Sequence, residues 1–153
     1  MRWSLKQIVP AILAALLITI WSAHRLDARR DTPVAVTRLY TGPDGQSHFG
    51  KIELQMKPSA LSAELDESEP LKVSGGQLLR WPPGFMWEGH TASRRQYVID
   101  VGGRAEVEVA GGQKIQLSPG QILLAEDVTG KGHTTRVIGS EDLLLLLVPL
   151  TAQ

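Results

Sequence analysis

From Pro33 onwards the apolar residues of this chain recur at every second position, and turn-forming residues break the pattern roughly every eight to twelve positions. Each short strand then has one face to bury, so the chain must close sheet on sheet, or one sheet on itself, as a sandwich or barrel. Turn residues follow the same division: all 15 glycines lie at or after Gly42, and eight of the nine prolines at or after Pro33. In residues 104–109, Ala105, Val107 and Val109 alternate with Arg104, Glu106 and Glu108, which predicts a strand with one buried and one wetted face. Ala110-Gly111-Gly112-Gln113 tolerates the positive φ of a tight hairpin and leads to a return strand at 114–117. Ser118-Pro119-Gly120-Gln121 fits a type II turn, with proline second and glycine third, ahead of a strand at 122–125. Further strands are expected at 34–40, 49–56, 77–81, 96–101, 133–138 and 143–150, giving about eight to ten in all. The five-leucine run in the last of these reads as a strand buried on both faces, since it is short and ends at Val148-Pro149. Residues 58–70 carry Glu64, Asp66, Glu67 and Glu69 and show no strand signal, so a solvated acidic loop with at most one helical turn is expected. The acidic cluster lacks the ordered spacing and turn glycine of a calcium loop.

The length of 153 residues suits about one folded domain, placed at 32–153, behind an N-terminal segment of residues 1–31. Residues 8–23 contain no charge and follow Arg2 and Lys6, the order of a basic region and an apolar region in a membrane-directed signal. Sixteen residues are short for a spanning helix. No small-x-small cleavage triplet stands out either: Ala23 has Trp21 two positions upstream, and Ala28 has Arg25 three upstream. The expectation is one apolar helix retained as an anchor, with the following domain outside the cytoplasm, on the periplasmic side; secretion after signal cleavage is the alternative.

Sixteen basic and 16 acidic residues balance, and five basic and two acidic ones fall within 1–31, leaving 11 against 14 and a net charge of −3 for the rest. Such a body offers no broad basic field for nucleic acid. The absence of cysteine excludes disulfides, thiolate metal sites and cysteine nucleophiles. No glycine-flanked serine elbow, phosphate-cradling Gly-Lys loop or His-Glu-x-x-His helix occurs. Gly130-Lys131-Gly132 brings amides and an ammonium together in the manner of a weak anion site. Trp81, Phe85 and Trp87 flank Pro82-Pro83-Gly84 and are expected in the core, with a stacking wall for a ligand ring as the alternative.

Residues 90–137 resemble a cupin domain, a small RmlC-like double-stranded β-helix barrel of the jelly-roll type. The likeness rests on Gln96-Tyr97-Val98-Ile99-Asp100-Val101-Gly102-Gly103, on the Pro119-Gly120 turn followed by a strand and His133, and on the run 124–136. Arg94-Arg95-Gln96-Tyr97-Val98 and the segment 38–45 are similar to the same group of small bacterial cupins. The resemblance implies an all-β cupin barrel over about residues 33–150. It also implies a binding pocket for a small polar ligand around His90, Gln96, Val98, Asp100 and His133, with His48, Trp81 and Trp87 as further candidates. A metal-binding cupin supplies His-x-His, a glutamate and a last histidine. The matching positions here are His90, Ala92, Gln96 and His133, so a divalent transition metal (Fe, Mn, Ni, Cu or Zn) would have two imidazoles and one amide. The resemblance thus leaves two functions open: a ligand-binding module, or a metal-dependent oxygenase or isomerase with a degenerate metal site. Strand alternation puts Gln96, Val98 and Asp100 on one face, where Asp100 is either a proton-handling partner of His90 or a solvated strand end. A homodimer, with the leucine-rich last strand contributing, is a further expectation.

Overall fold

The structure, a computed structural model, describes residues 33–62 and 64–151. The apolar segment 8–23, its expected helix and the linker to residue 31 lie outside the described residues. Among the described residues no helix is long and apolar enough to cross a membrane.

The described chain is all β apart from a 3₁₀ turn at Ala110–Gly112. Its strands are β1 (Val34–Thr41), β2 (Ser47–Leu54), β3 (Met56–Pro58), β4 (Asp66–Ser68), β5 (Gln77–Trp81), β6 (Met86–His90), β7 (Gln96–Gly102), β8 (Ala105–Glu108), β9 (Lys114–Leu117), β10 (Ile122–Glu126), β11 (His133–Val137) and β12 (Leu143–Pro149). Antiparallel pairing runs β5 with β12, β6 with β11, β7 with β10 and β8 with β9. The second half of the chain is therefore one long antiparallel ribbon, folded at the β8–β9 hairpin. Rolling the ribbon up brings β7 beside β12 and β8 beside β11. Two sheets result, β2-β1-β10-β7-β12-β5 and β6-β11-β8-β9, which is a jelly-roll arrangement with β1 and β2 added to one edge. β1 joins β10 in parallel, Leu39 opposite Ala125.

Leu39, Val107, Leu117, Leu123, Leu143 and Leu145 are buried between the sheets. Ala105, Val107 and Val109 face inwards as the alternation requires. Gly111 and Gly112 take positive φ in the hairpin, and the Gln121 amide closes the Ser118 turn at 3.0 Å. Two expectations need correction, and one strand lies outside the expected set. β12 is buried on one face only: Leu143 and Leu145 point into the core, whereas Leu144 and Leu146 are half-buried on the outside. Both of its edges are occupied, by β7 and β5, so it cannot extend a sheet into a second subunit. Residues 58–70 are not loop throughout: Pro58 and Asp66–Ser68 belong to the hairpin β3–β4, which lies in a compact unit separate from the one formed by Ala35–Glu53 and Pro70–Gln153. The acidic side chains are used there locally: Lys57 pairs with Glu69, and Ser59 Oγ donates to Glu67 at 2.6 Å. Lastly, β6 has no alternating pattern in the sequence because it contains a bulge. His133 pairs with His90 and Thr135 with Trp87, so Glu88 and Gly89 oppose Thr134 alone, and Gly89 sits at φ 55°.

Gly132 fixes the start of β11 against the end of β6. Its φ is 75°, and a Cβ there would stand 2.2 Å from the His90 carbonyl oxygen. The segment Gly130-Lys131-Gly132 is thus a packing element: the Lys131 amide donates to the Gly45 carbonyl at 3.0 Å, so it is not offered to an anion. Gly132→Ala is expected to lose about 2–3 kcal/mol of stability in chemical denaturation, from backbone strain together with displacement of His90.

Candidate functional site

A cavity of about 230 Å³ opens between the two sheets. Its deeper wall is apolar, from Leu39, Leu79, Val98, Val107, Leu117, Leu123, Leu145 and Leu147. These residues are the inward members of alternating strands, and the registers stack them: Val98 lies between Leu123 of β10 and Leu147 of β12. Polar groups gather at one end, where His90, Gln96, His133 and Thr135 line the cavity with Ala92. Trp81 and Trp87 complete the lining there, their rings 5.8 Å apart.

The bulge in β6 explains why Trp87 and His90 work together. Residues three apart on a regular strand point to opposite faces. The extra residue at Gly89 restores both to the cavity side, with rings stacked at 4.2 Å and 11°. His90 Nδ1 donates to the Trp87 carbonyl at 3.1 Å, so Nε2 is the uncommitted nitrogen. The His133 ring lies across from it, centroid to centroid at 4.2 Å. Burial, reinforced by His133 and opposed by the Trp87 carbonyl and Asp127, pushes His90 down from 6.5 to about 4. His90 is a neutral imidazole at neutral pH.

His133 is held from behind. Its Nδ1 donates to Asp127 Oδ2 at 2.6 Å, and the same oxygen accepts the Ser47 hydroxyl at 2.7 Å. Asp127 and Ser47 have no solvent exposure, and Asp127 Oδ1 has no partner among the described residues. A carboxylate only accepts, so it fixes the His133 proton on Nδ1 and leaves Nε2 on the opposite edge of the ring. The β1–β2 turn supports this arrangement. Thr41 Oγ1 donates to the Thr129 carbonyl at 2.8 Å, and Gly45 receives the Lys131 amide. Asp127 is the residue that sequence reasoning missed. The only trace of it is its place in the run 124–136, six residues before His133.

Two expected pocket residues lie elsewhere. Asp100 shares the inward face of β7 with Gln96 and Val98, but about 13 Å of strand separates it from Gln96, beyond the apolar wall. It is buried at the turn end, where Oδ1 accepts the Gly102 amide at 2.9 Å and Oδ2 has no partner among the described residues; burial pushes its carboxyl up. It is neither solvated nor a neighbour of His90. His48 is the second residue of β2: it bonds Asp44 of the β1–β2 turn at 3.0 Å and rests on Tyr40, 5.9 Å between rings. Of the aromatic cluster, Trp81 packs against the core as expected, whereas Trp87 and Phe85 do not. Trp87 is 49% exposed and Phe85 40%, so these two form a rim instead.

The donor set does not fit a resident transition metal. No group of three His, Cys, Asp or Glu side chains converges among the described residues. Ala92 stands where a further imidazole would be needed, and Gln96 brings a neutral amide. Catalytic metal sites ordinarily keep three protein ligands, and carboxylate or thiolate charge assists most of them.

Two outcomes test this geometry. Asp127→Ala strips Ser47 and His133 of their shared acceptor and should lower unfolding free energy by about 1–3 kcal/mol, read by urea denaturation. His90 titrates lower in the folded chain than in the unfolded one. Between pH 6.5 and about 4 the unfolded state therefore binds the extra proton, and stability falls as pH falls through that window. Melting temperatures should drop more steeply there for the wild type than for His90→Phe.

No family model and no curated protein matches the sequence. Solved structures similar to the chain include the cupin domain of Schizosaccharomyces pombe Cnp3, at 15% identity over 82% of this chain and 88% of that one, with a TM-score of 0.42. Protein NMB1881 from Neisseria meningitidis is similar at 15% identity over 57% of this chain and 88% of its own, with a TM-score of 0.38. An RmlC-like cupin protein from Desulfovibrio desulfuricans is similar at 16% identity over 52% and 81%, with a TM-score of 0.36.

Proposed function

We propose that the chain is a cupin-type binding module that takes a small organic molecule into its jelly-roll cavity, apolar part inwards and polar part against His90, Gln96 and His133. The observation that carries this reading is the cavity itself, about 230 Å³ with an apolar wall and convergent polar groups at one end. The ligand is accordingly amphipathic rather than polar throughout. A fragment screen by thermal shift on the purified chain should yield ring-bearing compounds that raise the melting temperature. Ala92→Phe, which fills the polar end, should abolish those shifts. A screen without any hit, or hits that persist in Ala92→Phe, would overturn the reading.

The metal-dependent enzyme is the weaker alternative, because two imidazoles and an amide hold an ion without a charged ligand. Elemental analysis of chain purified without a tag or chelator is expected to give Fe, Mn, Ni, Cu and Zn well below stoichiometry. Near-stoichiometric metal that disappears in both His90→Ala and His133→Ala would reverse the preference. The same reading places the module at a membrane through residues 8–23, on the periplasmic side, or free after signal cleavage; protease access in intact spheroplasts distinguishes this placement from a cytoplasmic one. A homodimer remains part of the reading, through the half-buried outer face of β12 rather than its edges, and light scattering reports it.

A further inference from the structure

The geometry points to one class of ligand for this cavity: an uncharged planar molecule of one or two fused rings that donates a hydrogen bond, from a hydroxyl or ring N–H, to Nε2 of His90 beside the ring of His133. This inference rests on the reading of the cavity as a ligand pocket and specifies what enters it.

Polarity comes first. His90 Nδ1 is committed as a donor to the Trp87 carbonyl, and His133 Nδ1 to the Asp127 carboxylate. His90, a neutral imidazole, is therefore left with Nε2, which accepts, and His133 turns its Nε2 edge away from Asp127. An accepting Nε2 with a second imidazole alongside, ring centroids 4.2 Å apart, matches a ligand that donates. Charge is the second constraint. No lysine or arginine is among the residues lining the cavity, so a carboxylate or phosphate would be desolvated unpaired. The fully buried Asp127 behind His133 adds negative potential at the same end. Shape is the third. Trp87 and Trp81 stand at 58° to each other beside the polar end, and an exposed indole suits a flat ring. An engineered apolar cavity of about 150 Å³ takes benzene. The present one, at about 230 Å³, has room for a substituted ring or a small bicycle.

Isothermal titration calorimetry of the full chain with four probes tests this: 2-naphthol, 2-methoxynaphthalene, 2-naphthoate and benzyltrimethylammonium. 2-Naphthol should bind tightest. Its methyl ether, which keeps the rings but cannot donate, should bind about 10-fold more weakly, and 2-naphthoate at least as weakly. His90→Phe keeps the stack on Trp87 and removes one acceptor, so it should weaken 2-naphthol and leave the ether unchanged. Should that variant not fold, the order of affinities on the wild type decides alone. Equal affinity for 2-naphthol and its ether, or tightest binding of the carboxylate or the ammonium, overturns the inference while the pocket reading stands. Absence of binding by all four removes both.

Discussion

The Asp127 carboxylate is the contact on which the site depends. A carboxylate without solvent exposure is tolerable only when donors surround it, and Ser47 and His133 both reach the same oxygen. Ser47 begins β2 and His133 begins β11, so one buried group ties the added edge strands to the rolled ribbon. The surrounding backbone is shaped to permit it. Gly130 packs against the Gly45 carbonyl and Gly132 against the His90 carbonyl, with no room for a side chain at either. Close approach of three segments is thereby converted into one fixed imidazole.

The outer face of the larger sheet has its own anchor. Glu126 of β10 accepts from Arg38 of β1 and from Arg95, just ahead of β7. Burial would raise its carboxyl, but the hydrogen bonds from Arg95 and Arg38 outweigh that and hold it below the usual range. Arg38 also lies over Tyr40, 4.5 Å from the ring centre. Successive residues 126 and 127 on one strand end thus serve opposite sides of the sheet, one clamping strands and the other orienting His133.

Period-two alternation and turn chemistry made most strands legible, because both act within a few residues. β9 and β5 coincide with the expected ranges, and the Gly111-Gly112 and Pro119-Gly120 turns have the expected backbone. What escaped was set by pairing over long distances. β6 carries Trp87 and His90 on one face only because Gly89 bulges against β11, which no local pattern announces. β12 looks buried on both faces from its five leucines, yet their surroundings differ by side. In the site, His90, Gln96, Val98 and His133 come together, whereas Asp100 obeys the alternation and still lies too far along its strand. Asp127 shows no periodic signal because its role is defined by Ser47, 80 residues away.

The orientation of the two imidazoles in the cavity is decided by what stands behind them. Leucines and tryptophans in the wall govern how large a guest can be. Which way hydrogen bonds run is governed by a backbone oxygen that every amino acid carries and by a carboxylate one layer behind the surface. Divergent descendants of this chain could exchange many wall residues and keep the same hydrogen-bonding language, while a single exchange at position 127 would release His133 with the wall and His90 intact.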